Sequence, residues 1–245
     1  RARTRRSRRC RHGRHRSVAI AEAPPANAIE RATGPISKLE TSVVDAYFAA
    51  LKTLPRAEVP ASTRQALCIV HTALHGVGTR MCIRALQEAG FTNVTSVPEQ
   101  QEPDGRFPTV NFPNPEEKGA LDLAYALAAR VNADLVVAND PDADRLSIAI
   151  PSTTAPGKYV QLTGNEVGAL LGQFLLDRAG TAPGVVATTA VSSPLLRRMA
   201  EATGAPFAET LTGFKWIMHG SRALGEETKR PFLFGYEEAL GYAVS

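Results

Sequence analysis

The chain has 245 residues, enough for one large domain or two modest ones, with 44% hydrophobic and 21% charged residues in the globular range. Its formal net charge of +4 is misleading, because residues 1–16 hold nine arginines and no acid, and without them acids outnumber bases. No apolar run approaches the roughly 20 residues of a membrane helix, and Cys10, Cys68 and Cys82 lack metal-ligand spacing, so a cytoplasmic protein with reduced thiols is expected.

The Arg-rich start, 1–16, reads as a disordered tail or an out-of-frame stretch. It has neither aromatic interleaving nor an adjacent binding motif, so nucleic acid is not the expected partner. No apolar segment follows it, which argues against a secretory signal. Residues 17–58 read as the remnant of a domain plus a linker. Within them Val43, Val44, Tyr47, Phe48 and Leu51 recur at helical spacing, and Pro55 and Pro60 follow.

From Ala66 strands and helices alternate. Leu67–His71 reads as a buried strand, then a turn at Gly76 and Gly78, a helix over Met81–Ala89 and a strand at Val94–Val97. A polar, Pro-rich loop runs from Pro98 to Pro115. Asn114-Pro115-Glu116-Glu117 has the form of a helix start, with a cap, a first-turn proline and acids facing the dipole. Asp134–Ala138 and Leu146–Ile150 are the next strands. A second unit opens at Thr163, where Thr163 and Glu166 have capping-box spacing ahead of the helix Val167–Leu176. Strand Val185–Val191, helix Leu195–Ala202 (capped at Ser192-Ser193-Pro194) and a last strand at Phe232–Phe234 complete it. The fold class expected is α/β, with two consecutive mixed or parallel-sheet domains at 59–161 and 162–245.

The strongest chemical signal is Asp140-Pro141-Asp142-Ala143-Asp144-Arg145, placed directly after an apolar strand. In open α/β sheets, ligands bind at the carboxyl ends of strands. Three acids at alternate positions repel one another unless a cation neutralises them, and hard oxygen donors suit Mg²⁺ or Ca²⁺ rather than Zn²⁺. An EF-hand starting at Asp140 would need Gly at its sixth position and Glu at its twelfth, where Arg145 and Pro151 stand. An aspartyl phosphatase places paired aspartates similarly but continues into a small hydroxyl residue. A solvated acidic turn is the plainest alternative. Arg145 favours a site whose metal also meets a phosphate, which arginine grips bidentately.

This loop resembles the metal loop of the α-D-phosphohexomutase superfamily, which includes phosphoglucomutase and phosphomannomutase. Four further stretches are similar to that family in the same order: His71-Thr72-Ala73-Leu74-His75-Gly76-Val77-Gly78, Phe107–Val110 with Pro113–Glu117, Leu211-Thr212-Gly213-Phe214-Lys215-Trp216, and Phe234-Gly235-Tyr236-Glu237-Glu238-Ala239-Leu240-Gly241-Tyr242. The last are closest to the phosphoglucomutase-2 or phosphopentomutase-like branch. The resemblance covers about residues 60–245 and implies a four-domain isomerase. In such an enzyme, the resemblance implies, a phosphoserine donates its phosphoryl group to a sugar phosphate, and the resulting sugar bisphosphate turns round and returns the other phosphate.

By position, the resemblance implies that Asp140, Asp142 and Asp144 hold Mg²⁺ and that Arg145 steadies phosphoryl oxygens. Thr212, Gly213 and Lys215 are implied at the substrate, and Glu237 at the sugar hydroxyls that distinguish the two orientations. Glu238 is either a second sugar contact or a structural acid, and Ala239 stands where many members have a serine. His75, beside two glycines, reads as structural. The family's Ser-His-Asn-Pro loop is not found, so the expectation is a chain lacking most of the first and fourth domains and inactive alone. A non-catalytic phosphosugar-binding protein and a metal-dependent phosphatase are the alternative functions.

Overall fold

The computed structural model describes residues 22–31, 33–35, 37–54 and 58–245. The Arg-rich stretch 1–16 therefore lies outside the described residues. The chain divides into a unit ending at Val43 and one running from Val44 to Ser245, and the second carries both sheets.

Helix α1 (Ser42–Leu51) follows the helical spacing of its apolar residues, yet only Phe48 is buried. The Arg84 guanidinium lies over the Phe48 ring at 4.0 Å and bonds Asp45, so the arginine stem covers an aromatic face while its head stays polar. A short helix α2 (Ala61–Ala66) leads into the first sheet.

That sheet has the order β2-β1-β3-β4-β5, with β1 (Ile69–Thr72), β2 (Val94–Ser96), β3 (Leu135–Asn139), β4 (Leu146–Pro151) and β5 (Tyr159–Gln161). The strands β1, β2 and β3 are parallel, joined by helices α3 (Thr79–Glu88) and α4 (Asp122–Val131), and β4 and β5 return antiparallel. All four residues of β1 are buried, the pattern of a strand covered on both faces. Val70, Val97, Val136 and Ala149 meet Ala124, Leu127 and Ala128 of α4 in one core cluster. Each large side chain so withdrawn from water contributes about 1.5–3 kcal/mol.

The second sheet has the order β7-β6-β8-β9, with β6 (Val185–Thr189), β7 (Phe207–Thr210), β8 (Phe232–Glu237) and β9 (Gly241–Val244). Again three strands are parallel and the last is antiparallel. Helices α5 (Gly164–Arg178), α6 (Leu195–Thr203) and α7 (Phe214–Thr228) cover it. Leu175, Leu176, Leu196 and Ala200 pack against Val186, Phe234 and Tyr236. The capping box expected at Thr163 and Glu166 is present in both directions.

Three sequence expectations differ from the structure. The helix expected from Asn114 begins at Asp122. Asn114 Oδ1 accepts the Glu116 amide and is drawn to Arg145, and the backbone takes a positive φ of 87° at Gly119, so 114–121 is a chain of turns. The strand at Phe232 extends to Glu237 and is not the last, because β9 pairs with it. The expected cap Ser192-Ser193-Pro194 differs in part: Ser193 Oγ accepts the Leu195 amide at 3.2 Å, while the Ser192 hydroxyl is committed to Glu238. No helix among the described residues is long and apolar enough to cross a membrane.

Candidate active site

The acidic motif is the connection between β3 and β4, at the carboxyl end of the parallel strands. Asp140, Asp142 and Asp144 each offer a carboxylate oxygen within 4.8 Å of the others. Oxygens sharing one Mg²⁺ at about 2.1 Å stand at most about 4.2 Å apart, so a small side-chain adjustment closes this set on an ion. Asp140 is buried while Asp142 and Asp144 are exposed, giving the cluster one anchored carboxylate and two facing solvent. Although its side chain reaches solvent, Asp144 has its carboxyl pushed up from the ordinary value by partial desolvation, followed by the Asp140 and Asp142 charges. That crowding is what a cation would relieve, and the all-oxygen donor set fits a hard ion.

Two features hold the loop in this shape. Ala143 takes a left-handed backbone (φ 60°), turning the chain so that acids on either side converge; the Ala143 amide donates to the Asp140 carbonyl at 3.0 Å. The loop after β1 then packs directly beneath it. The Val77 amide donates to the Pro141 carbonyl at 2.9 Å, and a Cβ on Gly76 would fall 2.3 Å from Pro141 Cα. Glycine at 76 is thus a steric requirement of the close approach.

Arg145 turns back on the loop. Its Nε donates to Asp140 Oδ2 at 2.7 Å, its amide to Asp140 Oδ1 at 3.1 Å, and its Nη1 to Asn114 Oδ1 at 3.2 Å. Burial alone would raise the Asp140 pKa, but these donors outweigh it and hold the carboxyl below its ordinary value. Asp140 therefore stays ionised in a dry position, and Arg145 spans the motif and the 114–117 turn.

The second group of expected residues gathers at the carboxyl edge of the other sheet. Gly213 (φ 105°) stands ahead of α7, and its amide donates to Glu237 Oε1, tying the 211–216 loop to the end of β8. Thr212 and Lys215 are exposed beside this contact. Glu238 points the other way. Its Oε2 accepts from Thr189 Oγ1 at 3.0 Å and from Ser192 Oγ at 2.9 Å, so it braces the turn after β8 against the loop after β6. His75 bonds Thr109 at 2.8 Å and is buried among loops.

The two edges meet. The Leu146 amide, just past the acidic motif, donates to the Leu240 carbonyl at 3.0 Å. A cavity of about 300 Å³ lies alongside, lined by Glu116, Gln161, Thr163, Asn165 and Glu238 among others. The sequence did not disclose the part that four residues play in shaping the site: Asn114 and Asn139 as supports of the loop, and Thr189 and Ser192 as partners of Glu238. Each works through a contact 31 or more residues away or through an amide that looks like any loop asparagine.

The phosphoglucomutase/phosphomannomutase α/β/α domain II model matches residues 45–153, and the domain III model matches residues 163–245. The chain belongs to this family. A probable phosphomannomutase of Haemophilus influenzae is 46% identical over 206 residues, covering 84% of this chain and 39% of that protein. A phosphopentomutase of Mus musculus is 43% identical over 182 residues, covering 71% of this chain and 29% of that protein. A crystal structure from Thermus thermophilus, assigned as a phosphomannomutase, superposes with a TM-score of 0.66 at 26% identity, over 86% of this chain and 44% of that one. The chain thus spans well under half the length of the curated relatives it matches. Within the mutase family, its two sheets correspond to domains II and III.

Proposed function

We propose that this chain supplies the metal-binding and sugar-reading parts of a Mg²⁺-dependent phosphosugar mutase. The reaction moves a phosphoryl group between the 1- and 6-positions of a hexose phosphate, or the 1- and 5-positions of a pentose phosphate. It passes through a phosphoserine and a sugar bisphosphate. The observation that carries this reading is the convergence of Asp140, Asp142 and Asp144 at a strand end that is hydrogen-bonded to the turn following Glu237. The relatives named phosphomannomutase and phosphopentomutase support it.

In this reading Asp140, Asp142 and Asp144 hold the ion. Bound Mg²⁺ supplies neutralisation of the charge on a transferring phosphoryl group. The chain's own residues do the rest. Arg145 keeps Asp140 ionised and aimed, and its solvent-facing edge offers donors to phosphoryl oxygens. Gly213 lets the backbone approach the substrate, with Thr212 and Lys215 on either side. Glu237, oriented by the Gly213 amide, accepts hydrogen bonds from sugar hydroxyls, which serves either orientation of a bisphosphate. Glu238 braces that turn.

The test is a calorimetric titration of the 245-residue chain with Mg²⁺, wild type against Asp142→Asn/Asp144→Asn. Heat that saturates in the wild type and vanishes in the variant is expected; equal heats would sink the metal assignment. A parallel titration with glucose 1,6-bisphosphate, followed by amide NMR shifts, should perturb Thr212, Gly213, Lys215 and Glu237. Perturbation confined to other surfaces would sink the sugar assignment.

A further inference from the structure

The peptide unit joining Arg145 to Leu146 is gripped from two sides. Its carbonyl accepts from Asn139 Nδ2 at 2.8 Å, and its N–H donates to the Leu240 carbonyl at 3.0 Å. One peptide plane therefore closes the acidic motif and ties it to the turn after β8. Asn139 sets the orientation of that plane, and its amide group has two sides. Because the NH₂ faces the Arg145 carbonyl, the oxygen faces β1, where it lies 3.2 Å from His71 Nε2.

That geometry fixes the imidazole. An amide oxygen only accepts, so Nε2 carries the hydrogen and donates it. His71 is fully buried on a strand paired in parallel with β3. Its other ring nitrogen, Nδ1, is buried without a hydrogen-bond partner among the described residues. Burial lowers the pKa of the ring, consistent with a neutral Nε2–H form. An unpaired buried nitrogen costs stability that an apolar ring of similar shape would not incur. The compensation visible in the structure is the single bond from Nε2 to Asn139.

We infer that His71 is a positioning residue for the acidic loop: its Nε2–H fixes the Asn139 amide, which holds the Arg145–Leu146 peptide and through it the docking of the loop on Leu240. Without that donor, the amide of Asn139 is free to turn its oxygen toward the Arg145 carbonyl, where two acceptors would repel, and the loop loosens at its base. The consequence for ion binding rests on the Mg²⁺ reading above; the consequence for loop order does not.

The experiment uses the 245-residue chain as wild type, His71→Phe, His71→Gln and Asn139→Ala. Nitrogen-15 NMR of the ring should show a neutral His71 protonated at Nε2. Amide exchange at Arg145 and Leu146 should accelerate roughly five- to tenfold in His71→Phe and Asn139→Ala, the loss expected for one hydrogen bond, while exchange within β1 and β3 is unchanged. His71→Gln, which keeps an N–H donor, should restore part of the protection. Mg²⁺ affinity should fall about tenfold in the two disruptive variants, the lower end of what removing a support behind a metal ligand costs. Unchanged exchange at Arg145 and Leu146 in folded variants, or an Nδ1–H ring in the wild type, would overturn the inference. A wild type that binds no Mg²⁺ would defeat the ion assignment alone, and the exchange rates would still decide the role of His71. Should His71→Phe not fold, Asn139→Ala reads the same peptide from the other side.

Discussion

Asp140 shows how one residue carries both structure and site. Its carboxylate is buried, accepts from the Arg145 side chain and from the Arg145 amide, and is the anchored member of the acidic cluster. Replacing it by Asn keeps the shape but removes the charge that Arg145 faces. The expected cost is about 1.5–3 kcal/mol in urea unfolding, the range for a hydrogen bond to a charged group, together with loss of Mg²⁺ binding by calorimetry. The pH dependence follows from the depressed pKa. Stability from this pair is fully present above the unfolded-state value, about 3.9, and is lost as the pH falls through the lower folded value. The Asp140→Asn variant should lack that acid-side loss. Gly76→Ala tests the opposite kind of contact. Its Cβ would fall 2.3 Å from Pro141 Cα, against backbone that cannot yield cheaply. A destabilisation of about 1–3 kcal/mol is expected, with weakened Mg²⁺ binding because Pro141 sits inside the acidic motif. A Gly76→Ala chain with unchanged unfolding midpoint and affinity would contradict this close packing.

At the scale of the element, the sequence was most legible where side chains act on their own backbone. The capping box at Thr163 and Glu166 was readable because both partners lie within one turn, and it starts α5 as expected. Thr163→Ala should cost about 1 kcal/mol in urea unfolding. The Thr163 backbone and side-chain donors hold the Glu166 carboxyl below its ordinary pKa. Its contribution is therefore present at neutral pH and declines as the pH falls below the ordinary carboxylate range, so a Glu166→Gln variant should differ from wild type least in acid. Where a side chain acts at a distance, the same kind of reading failed. Asn114 has every local mark of a helix cap, but its oxygen is shared between the Glu116 amide and Arg145, and α4 begins at Asp122. Of the two serines ahead of α6, Ser193 meets the Leu195 amide, but Ser192 serves Glu238, 46 residues on. The acidic motif itself was legible because strand, turn and acids are contiguous. The clamp on its far end, from His71 through Asn139, needs three strands in register before it exists.

Over the whole molecule, the two sheets repeat one plan that sequence similarity by eye does not reveal. In each, a central parallel strand is flanked by a second parallel strand on one side and a third on the other, and the third turns back into an antiparallel neighbour. The acidic motif joins β3 to β4, and the turn carrying Glu238 and Leu240 joins β8 to β9. Asn139 and Glu237 end their strands at equivalent places, each paired with the first residue of the returning strand. Their side chains then diverge: Asn139 holds its own hairpin, while Glu237 reaches across to Gly213. Apolar periodicity located most strands, but it could not report that ladder order, because order depends on which strands pair rather than on where each lies.

This shared plan puts the acidic motif and the Glu238–Leu240 turn in hairpin connections, which a sheet can lengthen or shorten while its ladder keeps its partners. In the reading proposed above, one hairpin would face an ion and the other a sugar, and a change in preference could be absorbed by a handful of turn residues while the strands beneath keep their partners.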